Sequence, residues 1–367
     1  MTVKLQQIRI LVVDDSAFMR KAISMMLESD PAIKVVGTAR DGEEGIQKVR
    51  HLKPDLVTMD IEMPRMDGLT ALREIMAKHP VPVMMISSLT TDGARATLDA
   101  LEMGAVDFIP KELSYVSLDI VKIREELVAK IKNIVKRKSL LMARFRGTRS
   151  AGRMKTSPGR SGVPRKSVSV VKTIRKRNHQ VGIIAIGSST GGPPALAEVI
   201  PRLPRNLPAG IVIAQHMPPK FTKSLAERLN GLSELHVKEA ADGDPVEAGT
   251  VLIAPGGQQM TVNKAGAKAY VRVSSEPSDT LYKPCVDVML DSVAASYHRA
   301  ILGVILTGMG SNGVTGLRKV KSGGGVIIAQ DEPTCIVYGM PRAAAEAGVC
   351  DHIVPIEQVA QEIVSYF

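Results

Sequence analysis

A chain of 367 residues with 44% hydrophobic content exceeds what one core usually organises and predicts two domains. It contains no apolar run of about eighteen residues and no basic segment leading into an apolar one, so the expectation is a cytoplasmic protein with no membrane span or secretory signal. The net charge of +11 suggests nucleic acid until its distribution is read: residues 127–179 hold 17 Lys or Arg and no Asp or Glu, leaving 31 basic against 37 acidic residues elsewhere.

From Ile8 to about Lys132, short apolar runs alternate with amphipathic stretches, the pattern of a parallel sheet wrapped by helices. Strands are expected at Ile8–Val13, Val35–Ala39, Leu56–Met59, Val83–Ile86 and Asp107–Ile109. Phe18, Met19, Ile23, Met26 and Leu27 carry the spacing of a helix that must stop before Asp30-Pro31. Residues 133–179 are rich in Arg, Ser, Gly and Pro and read as a linker, either a solvated tether or a docking surface for an acidic partner. From Val181 the alternation resumes, with strands expected at Val181–Ile186, Ile211–Ala214, Val251–Ala254, Ile301–Leu306 and Val326–Ala329, and helices at Ala195–Leu203 and Asp287–Tyr297. Met260–Val273 reads as a hairpin turning at Gly266. The domains are therefore expected at 5–132 and 180–367. Cys285, Cys335 and Cys350 are too few and too irregularly spaced for a disulfide framework or zinc site, and read as structural thiols.

In open α/β sheets ligands bind beyond the carboxyl ends of the strands. In the first domain those positions hold Asp14-Asp15, Asp60, Ser87 and Lys111. Carboxylates gathered on one edge call for a hard cation such as Mg²⁺. Asp60 is suited to attack phosphorus, with a hydroxyl and an ammonium group to stabilise the transferred oxygens.

Leu11-Val12-Val13-Asp14-Asp15-Ser16, Met59-Asp60-Ile61-Glu62-Met63-Pro64, Asp67-Gly68 and Lys111 resemble a response-regulator receiver, a flavodoxin-like fold on a five-stranded parallel sheet. The resemblance implies that Asp60 is the phosphoacceptor and that Asp15, Asp60 and the Glu62 carbonyl hold Mg²⁺, with Asp14 beside them. It further implies a switch made by Ser87 and Phe108, with Lys111. Glu112 follows Lys111 where receivers commonly carry Pro.

In the second domain, Ile183–Ile186 runs through Gly187-Ser188-Ser189-Thr190-Gly191-Gly192 into Pro193-Pro194. A small-residue turn between strand and helix lifts a hydroxyl into the open, and equally suits a phosphate-binding loop. The next strand ends in Gln215-His216-Met217-Pro218-Pro219, where a neutral imidazole could take a serine proton, although a lone histidine is more often structural. A later strand ends in Leu306-Thr307-Gly308-Met309-Gly310-Ser311-Asn312-Gly313, a tight loop able to aim N–H groups at an oxyanion.

These segments, with Ala254-Pro255-Gly256 and Tyr338-Gly339-Met340-Pro341, resemble the methylesterase domain of the chemotaxis CheB family, a doubly wound α/β fold. The resemblance spans both domains in order, apart from the linker. It implies a Ser189 nucleophile, a His216 general base and acid, an oxyanion donor at the Met309 amide, and support from Thr190. The implied substrates are glutamate γ-methyl esters and glutamines of chemoreceptors, the implied phosphodonor is a chemotaxis histidine kinase, and no cofactor serves the esterase. Phosphorylation of Asp60 would relieve cover of the Ser189 rim by the receiver.

One position departs. The family carries Asp where this chain has Asn312. An amide supplies no charge to an imidazolium, and its NH₂ end can select the wrong tautomer. The expectation is reduced esterase activity, with Asp331 or Asp287 as carboxylates able to compensate; the rival is a silent receptor-binding adaptor. A DNA-binding regulator is disfavoured because no helix-turn-helix pattern follows the receiver and Phe145 is the one aromatic in the basic segment.

Overall fold

The structure, a computed structural model, describes residues 7–111, 119–143, 181–266 and 268–367. Glu112 and the greater part of the basic linker, 144–180, lie outside them.

The first domain alternates β1 (Ile8–Val13), α1 (Ala17–Glu28), β2 (Ile33–Ala39), α2 (Gly42–Leu52), β3 (Leu56–Asp60), α3 (Gly68–Lys78), β4 (Val83–Ser87), α4 (Thr91–Glu102), β5 (Asp107–Pro110) and α5 (Asp119–Lys136). The strands form one parallel sheet in the order β2-β1-β3-β4-β5. Alternation along each strand sorts the core: Leu11, Val13, Val57 and Met59 face one side, Ile10, Val12, Leu56 and Met84 the other. The side chains of Ser16, Asp41, Asp67 and Thr90 cap α1 to α4 by accepting a backbone N–H, so each turn leaving the carboxyl edge is held by its own sequence. Leu141 and Met142, beyond α5, are buried in the core that includes Ile23, Leu127 and Ile131.

The second domain contains β6 (Ile183–Ser188), α6 (Gly192–Val199), a 3₁₀ turn (Ile200–Arg202), β7 (Gly210–Gln215), α7 (Phe221–Leu232), β8 (His236–Glu239) and β9 (Thr250–Ile253). The hairpin β10 (Gln259–Ala265) and β11 (Lys268–Ser274) follows, turning at Gly266 with φ of 63°. The chain continues as α8 (Val286–Tyr297), β12 (Ile301–Ile305), α9 (Val314–Ser322), β13 (Val326–Gln330), α10 (Met340–Glu346), β14 (His352–Val354) and α11 (Ile356–Val364). Seven parallel strands run β14-β13-β12-β6-β7-β9-β8. Two more strands than expected, β8 and β14, lie at the two edges. The helix expected over Ala195–Leu203 begins earlier, at Gly192, and tightens into the 3₁₀ turn where Pro201 cannot donate to the helical ladder.

One apolar cluster passes between the domains, joining Leu98 and Leu101 of α4 to Leu196 of α6 and Phe221 and Leu225 of α7. Around it, Arg228 pairs with Asp99 and Glu102, and Arg95 lies 3.4 Å from Glu227.

Candidate active site and phosphoacceptor site

At the carboxyl edge of the first sheet, Asp14 and Asp60 are buried and Asp15 is exposed, and one oxygen of each lies within 4.8 Å of the others. Asp14 Oδ2 is buried and accepts no hydrogen bond, with Lys111 Nζ 3.4 Å away. Lys111 donates to Asp60 Oδ2 at 2.5 Å. Burial pushes the Asp60 carboxyl up to about 6 against the pull of Lys111, and burial likewise raises Asp14. An orphaned oxygen among crowded carboxylates fits a hard divalent cation held by Asp14, Asp15 and Asp60. Glu62 donates its backbone N–H to Asp60 Oδ1 at 3.4 Å. Ser87 Oγ donates to the carbonyls of Gly93 and Ser88, so its hydroxyl is engaged at the start of α4. Phe108 is stacked on Phe221 of the second domain.

In the second domain the two adjacent serines part company. Ser188 ends β6 fully buried and donates to Gln215 Oε1 at 2.6 Å. Ser189, partly exposed, sits one residue past the strand, its Oγ 3.2 Å from His216 Nδ1. The backbone of Ser189 is held on both sides: its N–H donates to Thr307 O, and its carbonyl accepts from Gly192 N and Gln215 Nε2. Gly191, at φ of 76°, makes the turn into α6, and a Cβ on Gly192 would stand 1.8 Å from Gln215 Oε1.

His216 follows β7, and its Nε2 lies 2.9 Å from Asn312 Oδ1. The ring of Tyr282 stacks on the imidazole, centroids 4.1 Å apart and planes 10° apart. Burial pushes the imidazole down to about 4, so it is neutral near pH 7 and able to accept a proton.

Asn312 is fixed at both ends. Its Oδ1 accepts the backbone N–H of Val286 at 2.8 Å, and its Nδ2 donates to Asp287 Oδ2 at 2.7 Å and lies 3.2 Å from Cys285 Sγ. A backbone N–H must meet an acceptor and a carboxylate a donor, so only the carbonyl end can face His216. Nε2 therefore carries the proton and Nδ1, toward Ser189, is free. Asp331 is occupied elsewhere, accepting from the N–H and hydroxyl of Thr334.

Thr190 is 2% exposed and its Oγ1 has no hydrogen-bond partner, a buried hydroxyl next to Ser189. The Gly308–Met309 turn comes close: a Cβ on Gly308 would meet Ser189 Cβ at 2.9 Å. Three buried glutamines were given no role in the sequence reading. Gln215 ties Ser188 to the Ser189 and His216 carbonyls, Gln259 holds Tyr282 O and Cys285 N, and Gln330 accepts from Thr307 N. Each ends or begins a strand, and a polar side chain there was the available signal. Cys285 is buried, as expected of a structural thiol, yet its sulfur lies against Asn312.

Comparison with known proteins identifies both domains. Residues 10–120 match the response regulator receiver domain and residues 184–363 the CheB methylesterase family. A protein-glutamate methylesterase/protein-glutamine glutaminase of Oleidesulfovibrio alaskensis is 50% identical over 364 residues, 98% of this chain and 99% of that one. One of Nitratidesulfovibrio vulgaris is 51% identical over 362 residues, 98% and 99% of the two chains. The crystal structure of the CheB methylesterase catalytic domain of Thermotoga maritima superposes with a TM-score of 0.50 at 44% identity, covering 51% of this chain and 100% of that one. With the receiver in front and the Ser189–His216–Asn312 constellation behind, the chain belongs to the family of receiver-bearing CheB methylesterases.

Proposed function

We propose that this chain removes methyl groups from glutamate γ-methyl esters on chemoreceptors, and deamidates receptor glutamines, through an acyl-serine intermediate. The observation that carries the reading is the alignment of Ser189 Oγ, 3.2 Å from His216 Nδ1, with Nε2 of the same ring 2.9 Å from Asn312 Oδ1. Ser189 attacks the ester carbonyl while Nδ1 takes its proton. The Met309 amide and the Thr190 hydroxyl stabilise the tetrahedral oxyanion. The imidazolium returns the proton to the departing methoxide, or to the amide nitrogen when the substrate is glutamine, so that methanol or ammonia leaves. A water then enters by the reverse of these steps and releases glutamate.

The receiver regulates this site. Asp60 accepts a phosphoryl group from a chemotaxis histidine kinase, with Lys111, Ser87 and Phe108 responding to it. Asp14, Asp15 and Asp60, with the Glu62 carbonyl, would hold a Mg²⁺ ion, which would supply positive charge to offset that of the phosphoryl oxygens. The division into residues 5–132, 133–179 and 180–367 is part of this reading, although α5 runs past the first boundary to Lys136. Among the described residues no helix is long and apolar enough to cross a membrane.

The silent-adaptor alternative loses its chief motive, since the amide end that would select the wrong tautomer is turned away from His216. Methanol release from methylated chemoreceptor, measured with a phosphoryl donor and Mg²⁺, tests the reading. Release that disappears in Ser189→Ala is the expected result; release that persists in that variant, or none from the wild type, overturns it.

A further inference from the structure

The constellation stops one residue short of a charge. In hydrolysis the imidazole of His216 becomes an imidazolium, and a carboxylate beside it ordinarily orients and stabilises that cation. Asn312 contributes a carbonyl dipole alone. Behind it stands a carboxylate that the family resemblance does not assign to catalysis: Asp287 Oδ2 accepts from Asn312 Nδ2 at 2.7 Å.

The placement of Asp287 is well determined. It lies in the first turn of α8, where backbone N–H groups favour negative charge. Its second oxygen, Oδ1, accepts from Gly316 N in α9 at 2.8 Å. Neither oxygen of Asp287 can donate while ionised, so the amide of Asn312 must present its NH₂ to Asp287 and its carbonyl to His216. Val286, the residue before Asp287, donates its N–H to that same carbonyl at 2.8 Å and enforces the same orientation. The start of one helix therefore sets both ends of the amide.

We propose that Asp287 is a positioning residue that acts through Asn312, fixing the His216 tautomer and supplying the negative charge that the Ser189–His216–Asn312 set lacks. The inference rests on the hydrolase reading of the preceding section and deepens it. The working unit is a line of four residues, Ser189–His216–Asn312–Asp287, in which an amide is interposed between the imidazole and its carboxylate. Charge is passed by polarisation of the amide and no proton leaves His216 Nε2. Hydrogen bonds to ionised groups are the stronger ones, so the interposed amide holds its geometry more firmly than a neutral pair would.

The test uses the full-length chain with acetyl phosphate and Mg²⁺, and reads methanol release from methylated chemoreceptor in membranes. Asp287→Asn is expected to lower kcat by about tenfold or more with KM unchanged, the pattern of an interaction made mainly in the transition state. Asn312→Asp placed on top of Asp287→Asn is expected to restore kcat to within severalfold of the wild type, because the charge then touches His216 directly. A purely structural role for Asp287 gives no such rescue. Thermal midpoints of all variants identify any loss that comes from unfolding. The proposal is overturned if Asp287→Asn keeps wild-type kcat, or if the folded double variant shows no recovery. It is also overturned if wild-type activity tracks conversion of Asn312 to Asp, an exchange that Asn-Gly sequences undergo and that the mass of the peptide bearing residue 312 reveals. Failure of the hydrolase reading looks different: release from the wild type is then absent or survives Ser189→Ala, and the proposal falls with it.

Discussion

The ring of Phe108 lies flat against the ring of Phe221, with centroids 4.7 Å apart and planes 5° apart. Phe108 is in β5, the last strand of the receiver, and Phe221 opens α7 of the catalytic domain. Lys130 of α5 donates to the Phe108 carbonyl at 3.2 Å and pairs with Asp107. Phe108, the aromatic proposed above to respond to phosphorylation, is thus packed into the catalytic domain, and any change in its rotamer must disturb the contact.

The ion pairs at the edge of that contact give a gentler handle than its core. Arg228 of α7 reaches both Asp99 and Glu102 of α4, and all three side chains are partly solvated. Such a group contributes about 1 kcal/mol after screening, equivalent to about a fivefold shift in a docking equilibrium. Arg228→Glu replaces attraction by repulsion. Unphosphorylated protein carrying it is expected to hydrolyse methyl esters severalfold faster than the wild type, with a smaller response to a phosphoryl donor. Equal basal rates in the two proteins would show that this contact does not restrain the active site.

Gln215 predicts a different failure. It is 1% exposed, accepts from Ser188 Oγ, and donates to the carbonyls of Ser189 and His216. Gln215→Ala leaves the buried Ser188 hydroxyl and the His216 carbonyl without the partners it supplies, a loss of about 1–3 kcal/mol for each group left unsatisfied, while the Ser189 carbonyl keeps only the Gly192 N–H. Denaturant unfolding should show lowered stability. At temperatures where the variant remains folded, kcat should fall because nucleophile and base are no longer tied together. A stable, fully active variant would assign the positioning of Ser189 to Thr307 and Gly192 alone.

What was legible in the sequence, and what was not, follows from how local each signal is. The buried strands announced themselves as runs of Ile, Val and Leu, since both faces of a parallel sheet are covered. The strands β8 and β14 did not: each is only a few residues long and lies at a sheet edge, β8 with one buried position and β14 with none. Ser189 and His216 stood out because each follows a strand at the carboxyl edge of the sheet, and Asn312 because it stands where the CheB family carries Asp. The direction of the Asn312 amide was invisible, because Val286 and Asp287 set it from a helix start 25 or more residues away in the chain. The same holds for Gln215, whose three partners can be counted only once β6 and β7 lie side by side.

The acidic edge of the receiver should respond to cation in a pH-dependent way. Burial raises Asp60 to about 6, above the ordinary carboxylate value of about 3.9, so its protonation stabilises the fold at low pH and that stability is lost as pH rises through about 6. At pH 7.5, in the absence of cation, Asp14 and Asp60 are crowded anions. Mg²⁺ is expected to raise the thermal midpoint there by several degrees, and by less at about pH 5 where protons already compete. Asp60→Asn should shrink the Mg²⁺ response and abolish phosphoryl incorporation from acetyl phosphate. A midpoint indifferent to Mg²⁺ in the wild type would remove the cation from this site.

His216 titrates with the opposite sign. Burial holds its imidazole down to about 4, against an ordinary value near about 6.5. Above about 6.5 the imidazole is neutral in folded and unfolded chains alike. As pH falls toward 4, the unfolded chain takes up a proton that the folded one refuses, so stability drops. Because Asp60 pushes the other way over part of this range, the informative quantity is the difference between wild type and His216→Gln. The wild type is expected to lose ground to the variant by about 1 kcal/mol per pH unit between about pH 6 and 4.5, read from urea midpoints. Glu126 and Lys130 of α5 also act on the imidazole, in opposite senses, and they pair with each other at 3.1 Å, so burial dominates. Removing the residues before Gln180 takes α5 away and opens the site to water. The acid limb of kcat/KM should then move upward from about 4 toward the ordinary imidazole range, while basal turnover near pH 7 rises. A limb that stays where it was after truncation would place the burial of His216 within the catalytic domain itself, under Tyr282, and would separate the control of its proton affinity from the receiver.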